Sequence, residues 1–199
     1  MPASKVTVQA SFTQNQSGTL PFTDVKTGDW FYEAVQYVYD KGMMTGVSAD
    51  RFAPASTTTR GMIVTILYRL ENEPAVSGGS AFTDVENGAW YADAVAWAAA
   101  NDIVNGTSAT TFAPNSPITR EQMALILYRY AGSPDASGMV LREFADGDSV
   151  SAYAVDAIRW AVHEGLISGM ENNTLAPQGT ATRAQVAQIL MNFHQKLDK

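Results

Sequence analysis

Three arginines each follow a threonine at the start of an apolar helical pattern: Arg60, Arg120 and Arg183. A helix N-terminus is the positive end of the backbone dipole, so a cation at this position is locally unfavourable. Free backbone N–H groups, the dipole and a guanidinium in one place would, however, form a binding site for an anion such as a carboxylate. The alternative is a surface arginine paired with a nearby carboxylate. If the arginine instead binds an anion, replacement of Arg120 by alanine should leave stability almost unchanged and weaken ligand binding.

The residues around these arginines predict capped helix starts. Each arginine is preceded by a threonine whose hydroxyl can accept a bond from the first turn: Thr59, Thr119 and Thr182. Gln122 and Gln185 stand three residues after the second and third threonine, which is the spacing of a capping box. Met62 occupies the corresponding position in the first copy, so that threonine must cap its helix alone.

Two further residue types recur ahead of another helical pattern. An aspartate lies two residues after a phenylalanine in each copy: Asp24, Asp84 and Asp146. An aromatic residue opens the helix that follows: Trp30, Trp90 and Tyr153. The aspartates are turn or cap residues, or else acceptors for a ligand hydroxyl or partners for the arginines. The aromatic rings belong to the core, or else offer a flat face for stacking on a sugar ring.

These residues belong to an internal repeat. "FTDVKTGDWFYEAV" recurs as "FTDVENGAWYADAV" and "FADGDSVSAYAVDAI", and the spacing from Arg60 to Arg120 is 60 residues, against 63 from Arg120 to Arg183. Linkers rich in Pro, Gly and Ser separate the copies. We predict repeats at residues 21–73, 81–132 and 143–197. The apolar alternation at residues 6–12 predicts one β-strand, so residues 1–20 are interpreted as a tail or the remnant of an upstream β-domain.

Each repeat contains two helical patterns with apolar residues at i, i+3, i+4 and i+7. The first helix is predicted to end at a residue that tolerates a left-handed conformation: Gly42, Asp102 and Gly165. One apolar residue ahead of a proline is predicted to pin the following loop to the core: Phe52, Phe112 and Leu175. A unit of about 50 residues buries little surface on its own, so the three are expected to share one core. The fold class is therefore mainly all-α.

Composition excludes several classes of function. The formal charge of −7 argues against binding nucleic acid, which needs a concentrated basic surface. No stretch approaches the ~20 apolar residues that span a bilayer. The chain has no cysteine, and His163 and His194 are isolated, so no catalytic triad, metal cluster or cofactor site is predicted. Repetition itself favours weak binding over catalysis, since copies raise the effective concentration of a binding site.

Taken together, "FTDV" with Trp six residues past its Asp, "AVAWAAANDIVNG" and "TFAPNSPITREQMA" resemble S-layer homology domains, in three tandem copies over residues 22–197. The resemblance implies a pseudo-threefold helical assembly whose inter-repeat grooves hold a bacterial cell-wall glycan. The typical ligand is a secondary cell-wall polysaccharide with pyruvate ketals on N-acetylmannosamine, and a pyruvate ketal presents the carboxylate that the arginines call for. The Thr-Arg motif, the aspartate and the tryptophan of a repeat are implied to line the groove, together with loop glycines: Gly46, Gly106 and Gly169. The third repeat departs from this pattern, with Tyr153 in place of the tryptophan.

The sequence departs from the family motif Ser/Thr-Arg-Ala-Glu in each repeat: "TRGM" lacks the alanine and the glutamate, and the other two copies carry Gln for Glu. We expect a non-catalytic, noncovalent anchor at the extracellular cell wall, acting as a monomeric pseudo-trimer without membrane insertion. Two alternatives remain: a protein-interaction module whose grooves hold an acidic peptide, and an enzyme acting on glycans.

Overall fold

The computed structural model describes residues 19–137, 141 and 143–197. It contains six α-helices: α1 (Tyr32–Asp40), α2 (Arg60–Leu70), α3 (Ala92–Ala100), α4 (Arg120–Tyr130), α5 (Val155–His163) and α6 (Arg183–Leu197). Short 3₁₀ turns lie at Gly147–Ser149, Ala152–Ala154 and Glu171–Asn173. Within these ranges extended pairing is limited to isolated bridges, so the prediction of a mainly all-α fold is confirmed.

The N-terminal strand predicted at residues 6–12 lies outside the described residues. Leu20, the last residue of the predicted tail, is buried in the core. Among the helices that the structure describes, none has the length and apolar character needed to cross a bilayer.

The helices begin and end as the sequence predicts. Thr119 and Gln122 form the reciprocal capping box at α4, and Thr182 and Gln185 exchange the same two bonds at α6. At α2 the Met62 N–H alone bonds to the threonine hydroxyl. The predicted stop residues are left-handed, with φ of +67° at Gly42, +56° at Asp102 and +66° at Gly165. Local residue chemistry therefore sets these boundaries.

The closely packed helix pairs join different repeats. Helix α2 packs against α3, α4 against α5, and α6 against α1. Each repeat contributes two helices, as predicted, and each closely packed pair combines the second helix of one repeat with the first helix of the next. The last repeat closes onto the first, which buries the apolar faces in a common core.

A ring of three backbone hydrogen bonds surrounds the pseudo-threefold axis. The N–H of Thr58 donates to the Ala181 carbonyl at 3.2 Å, the N–H of Ile118 to Thr58 at 2.9 Å, and the N–H of Ala181 to Ile118 at 3.0 Å. All three residues are fully buried. The ring, which we call the axial ring, holds the three helix starts side by side at the centre of the molecule.

Candidate functional site

Each of the three arginines is the first residue of its helix and is buried. The exposed fraction is 6% for Arg60, 5% for Arg120 and 8% for Arg183. The alternative of a surface arginine is therefore wrong. A polar residue at a helix start is usually taken to face solvent. Here a neighbouring repeat covers this position, which the sequence pattern does not reveal.

The backbone N–H groups at these helix starts bind the next repeat. The N–H of Arg120 donates to the Gly179 carbonyl and that of Glu121 to Pro177, both at 2.9 Å, and α2 and α6 repeat the arrangement. The expectation that these N–H groups would be free to meet a ligand is therefore wrong. Acceptors on the adjoining loop satisfy them, as buried helix ends require.

The guanidinium groups also reach into the next repeat. Each Nε donates to the carbonyl of the buried loop residue at 2.7–2.9 Å: Phe112 for Arg60, Leu175 for Arg120 and Phe52 for Arg183. Each Nη2 donates to a second carbonyl there: Asn105, Ser168 and Thr45. The guanidinium also lies over a ring at Phe112 and Phe52, at 4.6 and 4.4 Å from the centroids. These contacts reverse the expectation that alanine at such a position would leave stability almost unchanged.

No carboxylate of the described residues lies within 4.0 Å of these three guanidiniums. Burial lowers the pKa of each arginine below its ordinary value, and the aspartate of the next repeat partly offsets this at longer range. Nη1 of each of these arginines makes no hydrogen bond to any residue that the structure describes. Three buried positive charges are thus met by carbonyl dipoles rather than by counter-charges, which is an uncommon arrangement for buried ions.

The three aspartates bind the backbone N–H groups of the same loops whose carbonyls the arginines bind. Asp84 Oδ1 accepts from the Phe112 N–H at 2.8 Å, and Oδ2 accepts from the Ala113 N–H at 2.7 Å. Asp24 and Asp146 make the equivalent pairs of bonds. The bonds hold Ala113 at a φ of +58°, a left-handed conformation that alanine rarely adopts. Each oxygen has a lone pair left over for a ligand hydroxyl.

Burial raises the pKa of Asp24 and Asp84, but the backbone hydrogen bonds outweigh it and leave both pKa values below the ordinary range. The arginine that acts on the same loop belongs to the preceding repeat: Phe112 is held through its N–H by Asp84 and through its carbonyl by Arg60. The association of Arg120 with Asp84 and Trp90, expected from their shared repeat, is therefore corrected. Arg120 acts on the loop that Asp146 latches.

The loop glycines allow a tight return of the chain. A Cβ at Gly106 would meet the carbonyl oxygens of Ser108 and Thr111, and one at Gly46 would meet the equivalent backbone. Gly169 is less constrained, with the ring of Phe144 at 3.0 Å from the added atom. Gly46 and Gly106 therefore need to be glycine for the loop to come close to the arginine that contacts it.

Two grooves bring together five of the predicted site residues. The first is a cavity of about 420 Å³ lined by Arg60 of the first repeat, the Gly106 loop and α4 of the second, and Tyr153 of the third. The second, of about 140 Å³, is lined by Arg120, the Gly169 loop and α6. All three repeats contribute to the larger groove, so its residues could not be assigned to one copy.

The three aromatic residues are exposed. The exposed fractions are 64% for Trp30, 58% for Trp90 and 55% for Tyr153. The alternative that they belong to the core is therefore wrong. Each tryptophan also makes a T-shaped contact with the ring that follows it in sequence.

Glu121 is a site residue that the motif analysis missed. It is only 3% exposed, and its carboxylate accepts from the N–H and hydroxyl of Ser151, from Gln178 and, at 2.7 Å, from the Tyr153 hydroxyl. Burial and this hydrogen bond raise the pKa of Tyr153 to about 12. The aligned positions in the other repeats hold Gly61 and Ala184. A charged residue where the other repeats have a small one was therefore the only sequence signal that could have pointed to Glu121. Glu121 fixes the tyrosine at the edge of the Arg60 groove.

No group of three His, Cys, Asp or Glu side chains in the described part of the chain could hold a metal ion. The described geometry instead offers two grooves that each contain a buried arginine, and Tyr153 borders the larger one.

Comparison with known proteins agrees with this arrangement. The S-layer homology domain family matches residues 21–61, 81–124 and 143–187. The chain is 36% identical over 180 residues to a surface-layer 125 kDa protein of Lysinibacillus sphaericus, with 87% of this chain and 15% of that protein covered. It is 32% identical over 184 residues to an endoglucanase of Bacillus sp. (strain KSM-635), with 91% and 19% covered.

A cellulosome-anchoring protein of Acetivibrio thermocellus is 24% identical over 181 residues, with 85% of this chain and 40% of that protein covered. The chain thus spans less than half the length of each of these relatives. Because the family match recurs at the three places where the arginine, aspartate and glycine loops recur, the chain belongs to the S-layer homology domain family and carries three copies of the domain.

Proposed function

We propose that this chain is a non-catalytic module that anchors an exported protein noncovalently to the bacterial cell surface. Its ligand is a secondary cell-wall polysaccharide that carries pyruvate ketals on N-acetylmannosamine, and the grooves between repeats bind it. The module acts as a monomer with three repeats at residues 21–73, 81–132 and 143–197.

The observation that carries this proposal is the set of three buried guanidiniums without a carboxylate within 4.0 Å in the described part of the chain. Arg60 and Arg120 line grooves that are open to a ligand. A ligand carboxylate there would supply the missing counter-charge and accept from Nη1, forming charge-assisted hydrogen bonds.

The remaining site residues have supporting roles in this proposal. Trp30, Trp90 and Tyr153 offer exposed ring faces for the pyranose. The aspartates and glycines shape the loop that forms the groove wall, and the capping threonines fix the helix starts that carry the arginines.

The comparisons support an anchoring role. Relatives named as a surface-layer protein, a cellulosome-anchoring protein and an endoglucanase share this segment. The segment makes up a different share of each of these proteins. A segment common to proteins with such different names is better explained by a shared location than by a shared reaction.

The proposal is tested by calorimetric titration of the chain with the methyl glycoside of pyruvylated N-acetylmannosamine and with its pyruvate-free analogue. We expect binding to the first and none to the second, because the carboxylate is the contact that the arginines make. Equal binding to both, or to neither, contradicts the proposal.

Cell-wall sacculi stripped of secondary polysaccharide by acid should likewise lose the ability to retain the chain, whereas retention by stripped sacculi would identify peptidoglycan as the ligand.

A further inference from the structure

The larger groove contains a second arginine. Arg129, in the last turn of α4, is half-buried and lines the same cavity of about 420 Å³ as Arg60. We call this cavity the two-arginine groove. The residues that line it include Arg60, Asn105, Gln122, Ile126, Arg129 and Tyr153.

Asn105 connects the two guanidiniums. Its backbone carbonyl accepts from Arg60 Nη2 at 3.4 Å. Its side-chain amide satisfies both neighbours when the nitrogen donates to the Val104 carbonyl at 3.2 Å and the oxygen accepts from Arg129 Nη2 at 3.3 Å. The two cations are therefore held within the span of one residue. Like charges that share one partly buried groove repel each other, because burial weakens the screening of that repulsion by water.

The other repeats avoid this repulsion. The aligned Arg69 has a side chain that is 51% exposed and pairs with Glu73 at 3.6 Å. The residue aligned with Glu73 in the second repeat is Ser133, which carries no charge. In the third repeat the aligned position is Asn192, which donates to the Gly165 carbonyl. Among the described residues, Arg129 has no carboxylate within 4.0 Å.

We propose that the two-arginine groove recognises a glycan segment with two acidic groups. Arg60 binds the ketal carboxylate, a contact that rests on the proposed function, and Arg129 binds a second anionic group on the same or the adjoining sugar. That group is a phosphate or a second carboxylate, since either supplies the charge and the acceptor oxygens that a guanidinium fork fits. The smaller groove at Arg120 has Asn192 in place of the second cation and takes a single acid.

Isoleucine methyl groups allow each groove to be observed separately by NMR. Ile103 and Ile126 line the two-arginine groove, and Ile167 and Ile189 line the Arg120 groove. The labelled chain is titrated with the methyl glycoside of pyruvylated N-acetylmannosamine, with a phosphate-bearing form of it and with a form that bears a second carboxylate. We expect at least one doubly charged probe to bind at Ile126 about 10-fold more tightly than the singly charged one. At Ile189 the probes should bind alike.

Three variants isolate the role of Arg129. Arg129→Gln should lower the affinity for the doubly charged probe far more than that for the singly charged one, and so abolish the preference at Ile126. Arg69→Gln, at the aligned position with a partner, is the matched control and should alter neither affinity. Ser133→Glu recreates the ion pair of Arg69 with Glu73 and should reduce the preference several-fold without changing Arg129. Ser133 and Glu73 share a left-handed conformation, with φ of +53° and +50°, so the backbone accepts this substitution.

The outcomes separate the two proposals. Equal affinities of all probes at Ile126, or a loss in Arg129→Gln that is the same for every probe, overturn the inference and leave the anchoring function standing. No shift at Ile126 or Ile189 with any probe overturns the proposed function and this inference with it. A preference for one doubly charged probe alone supports the inference and identifies the second group as phosphate or carboxylate.

Discussion

Replacement of Arg120 by alanine tests the buried position of the three arginines. The side chain donates to the Leu175 carbonyl at 2.7 Å and to the Ser168 carbonyl at 3.1 Å. Hydrogen bonds from a charged donor contribute about 1.5–3 kcal/mol each, and a buried acceptor left without a partner costs about 1–3 kcal/mol. Removal of a buried charge recovers part of its desolvation cost, which offsets some of this loss. We expect Arg120→Ala to lower the free energy of unfolding by about 2–4 kcal/mol.

The measurement is urea denaturation of the wild type and the variant, followed by circular dichroism. Thr119→Ala is the matched control, since it removes the adjacent helix cap and should cost about 1 kcal/mol. If Arg120→Ala destabilises the chain less than Thr119→Ala does, the two carbonyl bonds contribute little and our account of the arginine is wrong.

A second readout of the same variant concerns the ligand. Ligand at 100 times its dissociation constant stabilises a folded protein by about 2.7 kcal/mol per occupied site. Addition of the pyruvylated glycoside should therefore raise the denaturation midpoint of the wild type, and by a smaller amount in Arg120→Ala because one groove has lost its cation. An equal increase in both proteins would show that Arg120 stabilises the fold without contacting the ligand.

Three other perturbations follow from single contacts. The Thr58 hydroxyl is fully buried and has no hydrogen-bond partner among the described residues, so Thr58→Val should raise the free energy of unfolding by about 1 kcal/mol, and a lower denaturation midpoint would contradict this. Glu121→Ala should lower the pKa of Tyr153 from about 12 towards its ordinary value, which the difference between ultraviolet pH titrations with and without Tyr153→Phe would detect. Asp24 and Asp84 have lowered pKa values in the folded state, so their stabilisation is full above about pH 4 and is lost as the pH falls through the folded pKa; Asp84→Asn should flatten this acid dependence of the urea midpoint, and an unchanged slope would refute it.

Sequence predicted the features that depend on neighbouring residues. Thr119 with Gln122 fixed the start of α4 through a local capping pattern, and Gly42 fixed the end of α1 through its left-handed conformation. The burial of Phe52 followed from one apolar residue ahead of a proline. Each of these depends on a few consecutive positions, so no knowledge of the distant chain was needed.

The partners of the arginines could not be predicted in the same way. The two carbonyls that bind Arg120 lie 55 and 48 residues further along the chain. An apolar stripe shows that a helix face is buried but not which helix covers it, so the pairing of α2 with α3 was not available either. Glu121 was visible only as a mismatch between aligned positions, and its four donors come from the third repeat.

The axial ring has a consequence for how such a chain can change its length. In open repeat arrays each copy contacts only its neighbours, so single copies can be added or removed at an end. Here Thr58, Ile118 and Ala181 each donate to one neighbour and accept from the other, so the three copies close the ring between them. Duplication or deletion of one copy would leave an N–H and a carbonyl unmatched at the centre of the core. We therefore expect copy number to change by whole triplets, while the linkers between copies tolerate insertions freely.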